Sequence, residues 1–136
     1  MALLRLDHVN IRCADLDRSR AFYADALGLT EGARPAVSIP GAWLYLGDDP
    51  VVHLVDSKAM IAVETHSTGA FDHVAFEAQD FEATRARLKR AGIPFQASAF
   101  PDFGLKQLFL LDPDGVKVEL NFPERPSAEA PEAADS

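Results

Sequence analysis

Cysteine occurs once in these 136 residues, at Cys13. A lone cysteine allows no internal disulfide, so the fold must hold by packing, and a reducing cytoplasm is the expected setting. Cys13 itself is expected to be a small buried hydrophobe rather than a nucleophile. Long apolar runs are also missing, since none approaches the roughly 18 residues a membrane span needs. A basic excess is missing too. The 13 Lys and Arg are outnumbered by 21 Asp and Glu, giving a net charge of −8, which argues against a nucleic-acid partner that would be gripped through its phosphates. The few residues ahead of His8 leave no room for the basic start and apolar core of a signal peptide, so none is expected. What remains is a globular composition, 48% apolar and 25% charged, in a length suited to one domain.

The chain repeats itself. Leu6-Asp7-His8-Val9 and Phe71-Asp72-His73-Val74 lie 65 residues apart (73 − 8), and the register carries on through Asp15/Asp80, Arg20/Arg85, Ala21/Ala86 and Ala26/Ala91. Further on, Val52-His53-Leu54 lies over Val118-Glu119-Leu120 at an offset of 66 (119 − 53). Two repeats of this length fit two half-domains better than a solenoid, which needs at least three.

Residues 5–12 alternate, with Val9 and Ile11 on one side and Leu6, His8, Asn10 and Arg12 on the other, as in a half-buried strand. Apolar spacings of three and four then predict a helix over 15–27, stopped by Gly28. Strands are expected near 30–38, 42–47 and 51–56, punctuated by Pro40-Gly41 and Gly47-Asp48-Asp49-Pro50. The second half repeats the order, with a strand at 71–77, a helix at 80–91 and strands near 94–99, 105–111 and 116–122, the last two joined by Asp112-Pro113-Asp114-Gly115. The expected fold class is α+β, two βαβββ modules in pseudo-symmetry forming a cup-shaped mixed sheet with helices outside. The modules take residues 1–56 and 70–122, with a connector at 57–69. The tail, 123–136, holds four acids, one base and three prolines, and is expected to stay disordered.

The repeat is what makes the histidines readable. His8 and His73 occupy one matched position, and His53 and Glu119 another, so pseudo-symmetry brings four metal-competent side chains toward one axis. Two His and one Glu with vacant positions suit non-haem Fe(II), and also Mn, Ni, Co or Zn. One divalent ion is therefore expected, with His8, His73 and Glu119 as ligands. His53 is either a fourth ligand or a general acid/base beside the ion, and Glu119 shares the catalytic role. Asn10, Arg12, Gln107 and Asn121 are candidate substrate contacts by strand parity. Trp43, Tyr45 and Phe109 either pack the hollow or hold an apolar part of the ligand. His66 falls in the connector, outside the repeat, and is expected to be solvated.

With these residues named, residues 4–122 resemble the vicinal oxygen chelate superfamily of glyoxalases, fosfomycin- and bleomycin-resistance proteins and extradiol dioxygenases. The resemblance rests on Leu-Asp-His-Val at 6–9, Phe22-Tyr23 with Leu27-Gly28-Leu29, Phe-Asp-His-Val at 71–74, and Asp112-Pro113-Asp114-Gly115 with Val118-Glu119-Leu120. It implies paired βαβββ modules and a divalent metal that a substrate chelates through adjacent oxygens, with His8, His73 and Glu119 at the ligand positions. The chain also departs from the family pattern. Glyoxalase I usually presents Glu where this chain has His53. Extradiol dioxygenases and fosfomycin-modifying members carry Tyr where this chain has Phe109, and the latter have a cation-binding loop that residues 101–107 do not resemble.

The leading expectation is a metal-dependent lyase or isomerase whose ion stabilises an enediolate-like intermediate while a nearby base moves a proton. An Fe(II) extradiol-type dioxygenase and a bleomycin-resistance-type binder without catalysis are the alternatives. The expected partners are a small-molecule substrate and a second copy of the chain in a homodimer, with no nucleic acid and no membrane.

Overall fold

The computed structural model describes residues 2–59 and 68–124. They fall into two compact units, divided between residues 67 and 68. In the first unit, β1 (Val9–Cys13) leads into α1 (Leu16–Leu27), followed by β2 (Thr30–Gly32), β3 (Gly41–Leu46) and β4 (Asp49–Asp56). The second unit repeats the order with β5 (His73–Glu77), α2 (Phe81–Arg90), β6 (Gln96–Phe100), β7 (Leu105–Leu111) and β8 (Lys117–Pro123). Each unit is a four-stranded mixed sheet of the same topology, β1-β4-β3-β2 and β5-β8-β7-β6. In both, the first strand runs parallel to the last and the other pairs are antiparallel. No helix among the described residues is long and apolar enough to cross a membrane. His66 and the tail beyond Glu124 lie outside the described residues.

Both helices start at an aspartate, for a local reason. Asp15 accepts a hydrogen bond from the Arg18 amide at 3.1 Å and Asp80 one from the Ala83 amide at 3.2 Å, so each satisfies an amide that the first turn leaves without a partner. Asp80 does so at φ 66, a left-handed conformation that aspartate tolerates better than most residues. At the far end of α1, Gly28 takes φ 73 and its amide turns back to the Ala24 carbonyl, which stops the helix there.

Alternation along the strands divides each sheet into two faces. Ile11 and Cys13, Ala42 and Leu44, and Val52 and Leu54 are buried on one face of the first sheet, with Tyr23 and Ala26 of α1 also fully buried. In the second sheet Leu108, Leu110, Val118, Leu120 and Phe122 form the buried face. Phe81 of α2 meets Phe122 edge to face at 5.3 Å, an arrangement that aligns ring edge with ring face. The opposite face of each sheet carries the polar residues.

Several strands are shorter than their sequence pattern. The first begins at Val9, where it meets Val52 of β4, although residues 5–8 continue the alternation. The ladder with β4 starts only at Val9↔Val52 although β4 itself runs back to Asp49, and Leu3, Leu4 and Leu6 are exposed. The second strand, expected over 30–38, ends at Gly32 after pairing only with Trp43, Leu44 and Tyr45. Pro35 has no N–H to donate to a ladder. Strand β4 starts two residues early, because Gly47-Asp48 alone makes the hairpin turn, Gly47 taking φ 65. Its Pro50 lies opposite Tyr45 beside the register shift at Leu44/Tyr45. In the second unit, the Phe71 amide closes a turn onto the Thr68 carbonyl, so β5 opens at His73 rather than at 71.

Candidate metal centre

The two units present matched positions in matched registers. His53 pairs with Asn10 on one side and Trp43 on the other. Glu119, at the equivalent place on β8, pairs with Ala75 and Phe109. In each unit, then, the candidate donor on the last strand lies beside an aromatic residue of the preceding strand.

In the first unit His53 is the middle ring of a three-ring stack. His8 covers one face at a centroid distance of 3.7 Å and 10° between planes, and Trp43 the other at 4.1 Å and 15°. The stack leaves His53 only 7% exposed. Its Nε2 lies 3.0 Å from the Pro50 carbonyl, which can only accept, so Nε2 carries the hydrogen and Nδ1 keeps the lone pair. Burial pushes the His53 pKa below the ordinary imidazole value and the charge of His8 pushes the same way, against the raising effect of the Pro50 hydrogen bond. Neutral His53 can accept a proton at Nδ1. Asn10 and Arg12 lie on the same face of β1 and are exposed. The Tyr45 hydroxyl is committed to the Ala33 carbonyl at 2.7 Å.

In the second unit His73 Nε2 and Glu119 Oε1 face each other at 3.2 Å. Around them runs a chain of polar contacts. Gln107 Nε2 donates to Glu119 Oε2 at 3.2 Å and to Asn121 Oδ1 at 2.9 Å, while Gln107 Oε1 accepts from the Ser98 hydroxyl at 3.0 Å. Gln107 is thereby bonded at both ends of its amide. Phe109 sits across from Glu119 on the same face.

The aspartate before each histidine acts alike in both units. Asp7 Oδ2 lies 2.6 Å from His8 Nδ1, and Asp72 Oδ2 lies 2.8 Å from His73 Nδ1. The histidine hydrogen bond is the leading cause that lowers each aspartate pKa, reinforced for Asp72 by Lys117, whose Nζ lies 3.0 Å from the same oxygen. Carboxylates can only accept, so Nδ1 carries the hydrogen in both rings, and in the neutral ring Nε2 keeps its lone pair.

That arrangement is a direct test of whether the residues fit a metal. In neutral His73 the Nε2 lone pair points at a carboxylate oxygen 3.2 Å away, a repulsive pairing unless a cation or a proton lies between them. Two donors about 2.1 Å from one ion at right angles are roughly 3.0 Å apart, so the spacing suits a shared cation. A histidine with its far nitrogen held by a carboxylate is also the usual form of a metal ligand. His8 fits the same description. His53 does not fit beside His8, because rings stacked in nearly parallel planes cannot both aim in-plane lone pairs at one ion. Among the described residues no three His, Cys, Asp or Glu side chains form a metal-sized group.

Of the residues the sequence singles out, the structure brings together His8, His53 and Trp43 in one unit, and His73, Glu119, Gln107, Asn121 and Phe109 in the other. The pattern reading missed Asp7, Asp72, Ser98 and Lys117. For the aspartates a signal existed: the Asp-His pair recurs at the same offset as the histidines.

A fold of two βαβββ units whose matched strands carry Asp-oriented histidines and a carboxylate defines a class, and the whole-chain comparison agrees with it. Residues 5–120 match the family model of the Glyoxalase/Bleomycin resistance protein/Dioxygenase superfamily, and the chain belongs to that superfamily. It is 31% identical to the ethylmalonyl-CoA/methylmalonyl-CoA epimerase of Cereibacter sphaeroides over 128 residues, covering 85% of this chain and 96% of the epimerase. It is 32% identical to the glutathione transferase FosA of Serratia marcescens over 121 residues, covering 88% of this chain and 81% of the transferase. The crystal structure of a lactoylglutathione lyase from Agrobacterium tumefaciens shares the fold, with a TM-score of 0.66 and 20% identity over 91% of this chain and 97% of the lyase.

Proposed function

We propose that this chain is a divalent-metal-dependent enzyme that moves a proton at a carbon beside two adjacent oxygens of a small metabolite, a lyase or isomerase reaction. The observation that carries the reading is the His73–Glu119 contact, where Asp72 lies 2.8 Å from Nδ1 and the other ring nitrogen, Nε2, faces a carboxylate oxygen 3.2 Å away. His8, oriented by Asp7 in the same way, completes the proposed ligand set. When bound, the ion supplies positive charge that polarises the two substrate oxygens. Gln107 holds Glu119 Oε2 and fixes the carboxylate's rotation. His53 is the proposed base: the Pro50 carbonyl keeps its hydrogen on Nε2, and Nδ1 takes the proton. Similarity to a protein named as an epimerase favours the isomerase side of this reading.

Metal analysis of protein purified without chelators tests the proposal. About one divalent ion per chain, drawn from Ni, Co, Zn or Mn, is the expected result. Iron, with oxygen-dependent opening of a catechol, would instead make the protein a dioxygenase. A chain that neither retains nor takes up an ion would be a binding protein.

We also infer a cytoplasmic homodimer. Each sheet ends in two edge strands, β1 and β2 in one and β5 and β6 in the other, and edge strands carry backbone groups that a second copy can cover. Sedimentation at micromolar concentration should give a dimer that survives removal of residues 124–136. A monomer, or a dimer lost with the tail, would overturn the inference.

A further inference from the structure

The open face of the second sheet is divided by chemistry. Read across the strands, one row holds Ser98, Gln107 and Asn121, and the next holds Gln96, Phe109 and Glu119. The row after that holds Leu111 and Lys117, with His73 opposite Lys117 on β5. The first row is bonded to itself. Ser98 donates to Gln107, and Gln107 donates to Asn121 and Glu119, which leaves that side of Glu119 little capacity to hold a hydroxyl-rich ligand. The other side is apolar. There Pro94, Phe95, Phe109 and Leu111, with Gln96 and Lys117, line an open hollow of about 700 Å³, within the usual range for a small-molecule site. Leu111 is 63% exposed, a large aliphatic group in water on the face that carries the proposed ligands.

We propose that this hollow holds the body of the substrate, and that the substrate is a short alkyl or aryl compound with its adjacent oxygens at one end, rather than a sugar or other polyol. The proposal rests on the metal reading above, which fixes the oxygens at His73 and Glu119. Phe109 and Leu111 belong to β7, the neighbour of β8, so they lie about 5 Å, one strand spacing, beyond Glu119 and Lys117. A carbon chain attached to the chelating oxygens reaches them within a few bonds. Phe109 and Leu111 are then specificity-determining residues, selecting substrates by the apolar area they cover.

Two kinds of probe separate the hollow from the metal. Calorimetry on the zinc-loaded protein should find benzohydroxamate, which chelates through two adjacent oxygens, binding roughly ten- to a hundredfold tighter than acetohydroxamate, because the phenyl group leaves water for the hollow. Phe109→Ala should remove most of that preference and leave acetohydroxamate unchanged. Leu111→Ser, at an exposed position that should not disturb folding, should reduce it in part. In parallel, 3-phenylpropionate, which does not chelate through adjacent oxygens, should shift the amide NMR signals of residues 94–96 and 109–111, while propionate should not. Equal affinity for the two hydroxamates, or a preference that both variants leave intact, would overturn the proposal. If neither hydroxamate binds while phenylpropionate still moves 94–96 and 109–111, the metal reading fails and the hollow stands. If both hydroxamates bind alike and phenylpropionate moves nothing there, the hollow fails and the metal reading stands.

Discussion

Glu119→Ala is expected to weaken divalent-metal binding by at least about a hundredfold while leaving the chain folded. Losing an outer-shell partner of a metal ligand typically costs 10–100-fold in affinity, and Glu119 is proposed as a ligand itself. The side chain is 14% exposed and lies on the open face of β8, away from the buried Val118 and Leu120. Removing it opens little of the core. Gln107 keeps its bonds to Asn121 and Ser98, so no buried amide is orphaned. His73 loses the carboxylate opposite Nε2 and retains Asp72 at Nδ1. The measurement is metal stoichiometry and affinity by competition with a chromophoric chelator, alongside the thermal midpoint. Undiminished binding in a folded variant would remove Glu119 from the ligand set, and with it the reason to read the His73 contact as a cation site.

His53→Ala should lower proton-transfer rate by roughly 10²–10⁴ with metal content unchanged. The expectation follows from the stack, in which His8 and His53 lie in planes 10° apart. Only one of them can aim a lone pair at an ion. His8 has the carboxylate partner of a ligand, whereas His53 has the Pro50 carbonyl at Nε2 and a free lone pair at Nδ1. The loss can be read without knowing the natural substrate, by following deuterium exchange at the carbon-bound hydrogens of hydroxyacetone in the metal-loaded protein. A drop in metal affinity along with rate would make His53 a ligand. Unchanged exchange and full metal content with a large fall in thermal midpoint would make it a structural ring, held between His8 and Trp43 for packing alone.

Much of this was legible from residue order because strand and helix periodicities are local. The Asp-His-Val pair at 7–9 and 72–74 marked two equivalent first strands, and the 65- and 66-residue offsets matched His53 to Glu119 before any register was known. Alternation placed Asn10 and Arg12 on the face opposite Val9 and Ile11. Helix starts at Asp15 and Asp80 followed from capping chemistry that needs only neighbouring residues. Strand ends were less legible, since a ladder stops where its partner does. Nothing local to residues 5–8 says that the ladder with β4 begins only at Val9, and the alternation of 30–38 outlasts the pairing that β3 supplies.

What the tertiary structure decided was the role of each polar group. Whether a histidine nitrogen is free depends on an atom supplied by another part of the chain or by a neighbour's rotamer. Asp7 and Asp72 had no reason in sequence to hold the Nδ1 of the histidine that follows each, and Pro50 had none to face His53. Gln107 looked like a substrate contact by parity, and only the cross-strand register, with Asn121 and Glu119 on one side and Ser98 on the other, shows its amide bonded from both sides. Sequence alone determined which residues share a face, because backbone geometry alternates side chains with a fixed period of two. Which of those residues touch is set by distances between strands far apart in the chain, and that only the folded structure contains.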